Sequence, residues 1–561
     1  MIDRNHAFTK VDGVLFKQML KMLSLDFICN YDSLILKDTK KINKLAFALD
    51  MAVAGRSDES VWIRQAQEIR KQMTDSLIDS AFTYLPEGVK HDEIELIKQK
   101  LKRRRLELEA VASQYYRLLQ RTPVVAGTNQ SDYFLIERQA PDRTILRIYD
   151  PETGDCRLEQ QFSGRETKEL WLYGLAGNDT FEVKGNTRKD FPIYLISGEG
   201  ENQYQLNHSR KIHVYDKDYK YDYQKIKYHK ISFTPWGIYD SDKGISLGTF
   251  FTYTMYGFKR APFTYQHRIG YNYLKGFMYA GVFPNYDGRR RLYLNASISS
   301  PRNFENFFGF GNNTAGYKEE KKNYNRVKLR TYMLNPSFEM DLRKEEVVTF
   351  FGSLDMYKAK RTDDRYIYTV YGEDHPIFRT NYFVGLGATY RITKQPYSWL
   401  PLLETEWTAG WKMNLKKPER NFPYAQGSLS WNVRFSDRFT WASLMKGTVL
   451  FDNDYEFYQA ATIDLRGFRD NRFIGKQSFY QYSDLRLDMG KLKNPFTPLK
   501  YGLFAGFDYG RVWFPGERSH SWHTSYGGGI WLTFLNKFTT KYSWFGSTDS
   551  FRFAFELGLG F

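Results

Sequence analysis

Phe551-Arg-Phe-Ala-Phe-Glu-Leu-Gly-Leu-Gly-Phe561 decides how the rest of the chain is read. Every odd position, from Phe551 to Phe561, is apolar. Every even one (Arg552, Ala554, Glu556, Gly558, Gly560) is polar or small. A strict period of two marks a strand with unlike faces, and about ten residues is the length a tilted strand needs to cross a bilayer. A soluble sheet with one buried face shows the same alternation, so the weight comes from its recurrence upstream.

It does recur. In Ile245-Ser-Leu-Gly-Thr-Phe-Phe-Thr-Tyr-Thr-Met255, positions 245, 247, 251, 253 and 255 are apolar, while 246, 248, 252 and 254 are small or polar. Tyr382–Tyr390, Gly427–Val433 and Tyr501–Phe507 alternate in the same way. Roughly 20 residues per strand and turn, spent over the chain beyond Gly244, allow about 16 strands, an even number as bacterial barrels require. An open sheet of that size would leave its edges exposed, and closure removes them. Composition agrees: aromatic residues make up 17% of the chain, yet the mean hydropathy is −0.58. That combination suits strands with one lipid face and one wet face, and no apolar run is long enough for a transmembrane helix. The fold class expected is therefore mainly β, a transmembrane antiparallel barrel.

The character of the chain changes towards its start. Residues 1–120 read as helical, with one helix from about Asp92 to Arg121 carrying Ile94, Ile97, Leu101, Leu108, Val111, Tyr115 and Leu119 at helical spacing. Lys102-Arg-Arg-Arg105 falls inside it and is read as a solvated face. Residues 121–228 carry short alternating runs between turns and read as a small all-β module. Residues 229–561 are the barrel. The net charge of +17 is assigned to solvated loops and lumen, with anionic lipid as its natural partner. The pattern of a nucleic-acid module is missing around the basic runs. Cys29 and Cys156 allow at most one disulfide.

The most specific stretch is Leu465-Arg-Gly-Phe-Arg469, followed by Arg472-Phe473, Gly475 and Tyr482-Ser-Asp-Leu-Arg486. It is similar to the signature of the bacterial surface antigen barrels, the superfamily of BamA, TamA and the two-partner secretion transporters. The resemblance implies that Arg466, Gly467 and Phe468 form the tip of a loop folded back into the lumen. It also implies that Arg466 meets an acidic residue on the inner wall, and Asp508, in Phe504-Ala-Gly-Phe-Asp-Tyr-Gly510, stands where that residue belongs. An arginine in a narrow, partly dry lumen needs such a partner, and a bidentate carboxylate is the best available. Asp242–Gly248, Asn306–Thr314 and Ser525–Leu532 resemble further segments of the family in the same order. The aromatic terminus Phe561 would then be the signal read by the barrel assembly machinery.

The front half resembles the linker of Bacteroidetes barrels that follow a metallophosphoesterase domain, through Met73–Phe82 with Leu85-Pro86, Lys168–Gly174 and Gly177–Phe181. It lacks the repeated αβ modules that precede the barrel in protein-inserting relatives. Asp3-Arg-Asn-His6 faintly resembles a metal-binding Asp-x-Asp region, with a helix start or packing as the plainer role. Gly174–Asp179 and Ser197–Asn202 echo calcium turns, but lie too far apart in sequence for nine-residue repeats and are read as tight turns. No catalytic set, cofactor site or metal site is expected in this chain. Met1–Lys10 shows no export signal, so the expectation is either that a signal and a phosphoesterase-like domain lie upstream of it or that the start codon is misassigned. Together these readings give a monomeric outer-membrane barrel with a periplasmic front half. Its partners would be outer-membrane lipid and lipopolysaccharide, the assembly machinery and a protein passenger. The barrel would anchor, or export for, the phosphoesterase-like domain; an insertion or secretion pore and a plain diffusion porin are the alternatives.

Overall fold

The computed structural model describes Leu20 and residues 27–32, 35–84, 91–186, 189–207, 210–216, 221–222, 229–240, 242–258, 262–285, 288–314, 323–362, 364–394, 403–492, 499–534 and 538–559. The chain forms two units, residues 1–227 and 228–561.

The first unit opens with helices α1 (Thr39–Ile42), α2 (Phe47–Val53), α3 (Glu59–Gln72), α4 (Asp75–Ala81), α5 (His91–Leu106) and α6 (Leu108–Leu119). The single long helix expected from Asp92 to Arg121 is broken at Glu107. The Glu107 N–H closes a tight turn on Arg104 O, while its carboxylate accepts the Ile35 N–H at 3.0 Å. The break frees α6 to bury Tyr115, Tyr116 and Leu119 against α2 and α3, with Tyr115 edge-on to Trp62 and Phe47. Nor is the basic run a free solvated face. Lys102 pairs with Asp79 at 2.7 Å, Arg104 stacks on Tyr31, and Arg105 pairs with Asp75 at 2.9 Å. Only Arg103 of the three arginines stands exposed.

Strands β1 (Val124–Ala126), β2 (Tyr133–Gln139), β3 (Arg143–Tyr149), β4 (Cys156–Ser163), β5 (Leu170–Tyr173), β6 (Thr180–Gly185), β7 (Ile193–Ile196), β8 (Gln203–Leu206) and β9 (Ile212–Tyr215) follow. They wind as stacked coils. β1, β5, β7 and β9 form one parallel sheet, and β2, β6 and β8 another, on whose β2 edge the hairpin β3–β4 pairs antiparallel. Between the sheets Phe134, Phe181 and Tyr204 stack in register, with ring centroids 4.5 and 5.7 Å apart. Each fully buried phenylalanine contributes about 2 kcal/mol of hydrophobic stabilisation.

The turns Gly127–Asp132, Gly174–Asp179 and Ser197–Asn202 lie one above another in successive coils, so residues distant in sequence become neighbours. The Asp132 N–H donates to Asp179 Oδ1, and the Asp179 N–H to Asn202 Oδ1, both at 2.9 Å. Gly177 and Gly200 hold φ values of 104° and 117°. A Cβ on Gly200 would stand 1.9 Å from Gly177 O, so the stack needs glycine there.

The second unit is a closed antiparallel barrel. Its strands are β10 (Lys230–Asp240), β11 (Gly244–Met255), β12 (Tyr265–Asn272), β13 (Gly276–Pro284), β14 (Arg290–Ile298), a short β15 (Phe304–Asn306), β16 (Arg326–Arg343), β17 (Glu346–Ala359), β18 (Asn381–Lys394), β19 (Leu403–Asn414), β20 (Asn421–Arg434) and β21 (Phe439–Leu450). Beyond a ribbon of β22 (Ala461–Thr462) and β23 (Ile474–Gly475) come β24 (Gln477–Leu492), β25 (Leu499–Trp513), β26 (His523–Phe534), β27 (Phe538–Gly546) and β28 (Phe551–Leu559). Sixteen of these (β10–β14, β16–β21 and β24–β28) make the wall, each paired with its sequence neighbour around the circuit.

The alternation read in the sequence is the alternation of the wall. On β11, Ile245, Leu247 and Phe251 point outward and are exposed, while Ser246, Thr252 and Thr254 are buried on the inner side. Leu386 and Trp407 are 60% and 61% exposed on the outside. Such an apolar outer band on a closed sheet matches a hydrocarbon surround. Long connections gather at one end of the barrel, among them residues 299–314, 364–380 and 451–476; turns such as 344–345 and 435–438 close the other. At the long-connection end, a helix α7 (Tyr366–Tyr371), the 304–314 segment and Phe457 pack together around Phe307, Ile367, Ile377 and Phe383.

The closure is uneven. β24 pairs with β25 from Gln477↔Trp513 to Leu492↔Leu499. At the β10–β28 seam, by contrast, a single pair, Tyr239↔Phe555, joins the first and last strands among the described residues.

Candidate functional site

Residues 451–476, between β21 and β24, do not span the wall; they turn into the barrel as an inner strap. Glu456 begins the descent, its carboxylate held by Arg420 at 2.9 Å and capping the turn Phe457–Gln459. Tyr458 then stacks on Tyr357 of the wall at 4.5 Å. β22 and β23 pair with each other, so residues 463–473 form a hairpin tip. Ile463, Leu465, Phe468 and Phe473 pack it against Tyr480 of β24 and Val512 of β25.

Arg466 sits at the centre of this tip. Its Nε donates to Asp508 Oδ2 at 2.9 Å, its Nη2 to Asp508 Oδ1, and its Nη1 to Asp484 Oδ1 at 2.7 Å. The guanidinium lies over the Phe545 ring at 3.9 Å. Asp508 is fully buried and also accepts from Ser525 Oγ at 3.0 Å and from the Arg466 N–H at 3.3 Å. Space for the arginine comes from glycine. A Cβ on Gly506 would meet Arg466 Nη2 at 2.6 Å, and one on Gly467 would meet Ser525 Cβ at 2.7 Å and Gly546 O at 2.9 Å. Gly467 O accepts from Ser547 Oγ at 2.7 Å, and Phe468 is buried in the tip cluster.

The tip reaches further round the wall than its first three residues. Arg469 pairs with Asp242 in the turn between β10 and β11, and the Asp470 N–H donates to the same carboxylate at 3.1 Å. Asn306 donates to it at 2.8 Å, and Arg552 of β28 lies 3.8 Å from it. Arg472 pairs with Asp549 in the β27–β28 turn. The strap thus touches β24 and β25 through Arg466, β26 and β27 through Gly467, and the turns on both sides of the β10–β28 seam through Arg469 on Asp242 and Arg472 on Asp549.

The structure therefore brings Arg466, Gly467, Phe468 and Asp508 into one cluster, and Phe561 lies outside the described residues, as does Asp3–His6. Sequence reasoning did not assign Asp484 or Asp242. Asp484 shares the inward parity of Tyr482 and Arg486 on β24, a signal that could have found it. Asp242 lies in a turn, where parity carries no information. No group of His, Cys, Asp and Glu suited to a metal ion occurs among the described residues.

No protein-family model and no curated protein matches this chain. Among solved structures, BamA from Haemophilus ducreyi lacking POTRA domains 1–3 is similar with a TM-score of 0.44 and 12% identity, over 60% of this chain and 70% of that one. CdiB from Escherichia coli gives 0.39 and 12%, over 59% and 67%, and CdiB from Acinetobacter baumannii 0.36 and 12%, over 60% and 66%.

Proposed function

We propose that this chain is an outer-membrane barrel that inserts or exports a protein passenger, and that the 451–476 strap opposes opening of its β10–β28 seam. One observation carries the reading: the strap tip holds both sides of the seam with the least pairing, Arg469 on Asp242 of the β10–β11 turn and Arg472 on Asp549 of the β27–β28 turn, while Asp242 itself faces Arg552 across it. A barrel that only had to be stable would gain more from a full ladder at that seam than from an inner brace. The strap also occupies the lumen, which counts against a plain diffusion porin. In this reading the front unit lies in the periplasm, and the passenger is the phosphoesterase-like domain or a protein delivered in trans; the barrel serves as its anchor and outlet.

A disulfide across the seam tests it. In Tyr239→Cys/Phe555→Cys, oxidation is expected to stop the appearance of passenger protein at the cell surface, and reductant to restore it. In planar bilayers the wild-type chain should give brief, small openings that the disulfide suppresses. A steady conductance indifferent to oxidation would make the chain a porin and refute the proposal.

A further inference from the structure

The hairpin β16–β17 extends past β14 and β18 at the long-connection end: β14 stops opposite Tyr332 and β18 begins opposite Tyr357, and beyond them only the short β15 joins it, with Phe304 opposite Lys328, among the described residues. Along this extension the inward residues Val327, Leu329, Tyr357 and Ala359 are buried in the core under the connecting segments. The alternating residues Lys328, Arg330, Lys358 and Lys360 are exposed on the outer face. Arg330 stands directly opposite Lys358, and the Lys360 N–H donates to Lys328 O at 2.9 Å, which sets that second pair side by side as well.

Like charges opposite each other across an antiparallel pair are unfavourable. Here two such pairs adjoin, and among the described residues none of the four cations has a carboxylate within ion-pair distance. Arg361, the next cation along, does have one, Asp374 at 3.5 Å. The same outer face, one step towards the middle of the barrel, carries Tyr332, Leu334, Leu354 and, on the flanking strands, Ile298 and Tyr382, all exposed. Aromatic residues at that height mark the border of the lipid band. At about 3.3 Å per residue, Arg330 and Lys358 lie about 7 Å beyond it and Lys328 and Lys360 about 13 Å. Longer connections face the outside of the cell in such barrels, so this is the height of the outer-leaflet head groups.

We infer that Lys328, Arg330, Lys358 and Lys360 form a binding site for the phosphate groups of a phosphorylated outer-leaflet glycolipid, whose acyl chains lie along Tyr332, Leu334 and Leu354. The inference rests on the membrane reading of the barrel. The anion supplies the counter-charge that the hairpin lacks, and the apolar residues below supply the surface for its chains. The lipid would hold the β16–β17 hairpin upright beside the segments that cover the lumen.

The test uses the full chain in neutral detergent, titrated with bisphosphorylated lipid A, the same lipid without its phosphates, and phosphatidylglycerol, with bound lipid read by native mass spectrometry. The charge-neutral variant carries Lys328→Gln, Arg330→Gln, Lys358→Gln and Lys360→Gln, all at exposed positions. The control carries Lys344→Gln and Lys394→Gln at the short-turn end. The expected result is a loss of at least tenfold in lipid A affinity for the first variant, none for the control, and weak binding of the phosphate-free lipid by both. Unchanged lipid A affinity, or equal binding of the phosphate-free form, overturns the site. Phosphatidylglycerol binding as tightly as lipid A overturns the glycolipid assignment. Migration that shifts on heating, in both variants, verifies folding. A barrel that fractionates with the outer membrane but binds lipid A normally in the charge-neutral variant would sink the site alone, whereas absence from that membrane would sink the membrane reading.

Discussion

Replacing Arg466 by alanine removes a guanidinium that neutralises two inner-wall carboxylates. Asp508 would keep Ser525 Oγ at 3.0 Å and the residue-466 N–H at 3.3 Å, but lose the one ion-pair partner it has among the described residues while fully buried. Asp484 would keep the long contact with Arg486, at 3.5 Å, and the more distant charge of Lys541. Breaking a buried pair from one side costs about 3–5 kcal/mol, because the remaining charge is left without a counter-charge. Asp508→Asn should cost less, since the amide still accepts from Ser525 and Arg466 still reaches Asp484. In the double variant Arg466→Ala/Asp508→Asn the stranded Asp508 charge is gone and only that of Asp484 remains, so part of the loss returns, with a coupling energy of about 2 kcal/mol. Denaturant unfolding of the barrel in micelles, followed by tryptophan fluorescence and by heat-dependent gel migration, measures all three. Single losses that simply add would refute the ion-pair account of the strap. If export fails in Arg466→Ala under conditions where the barrel stays folded, the arginine has a part in transport beyond bracing.

Gly467→Val should expel the tip, because its side chain would meet Ser525 and Gly546 O inside 3 Å; added trypsin should then cut after Arg469 or Arg472 in intact cells, where the wild type resists. Asp242→Ala removes the carboxylate that Arg469, Asn306 and the Asp470 N–H share and is expected to cost about 3 kcal/mol and to raise the open probability of the seam in bilayers, as the single-channel record would show. In the first unit, burial pushes the Asp179 carboxyl up to about 7 from 3.8. The folded unit therefore holds that proton more tightly than the unfolded chain, so the contribution of Asp179 to stability is full below about pH 4, declines up to about pH 7 and is lost above it. Hydrogen exchange of the β6 and β8 amides should report that slope, and Asp179→Asn should flatten it.

The barrel was legible because a two-sided wall imprints its period directly on the chain, as Phe551–Phe555 and Ile245–Met255 do. The pairing of Arg466 with Asp508 was accessible through a resemblance and the physical need of a buried arginine for a carboxylate. What stayed hidden depends on contacts that sequence distance conceals. The hairpin β3–β4 interrupts the coils, so the turns at Gly127, Gly174 and Ser197 show no regular repeat, although they stack in space. Asp242 gathers Arg469, Asn306 and Arg552 from three distant segments, and nothing local to Asp242-Lys-Gly244 announces it. Helical spacing continued through Glu107, but a side-chain bond to Ile35 N favours a break there. The basic run at Lys102 looked solvated because its partners Asp75 and Asp79 lie on another helix.

The most direct test of the membrane barrel is a cysteine scan along β18 from Tyr382 to Thr389, each site carrying a fluorophore quenched by nitroxide lipids in reconstituted bilayers. Strong quenching is expected at Tyr382, Val384, Leu386 and Ala388, which face outward, and weak quenching at Phe383, Gly385, Gly387 and Thr389, which face the lumen. Quenching with no period of two, or equal labelling of all eight sites by a water-soluble reagent, would contradict a membrane-spanning barrel.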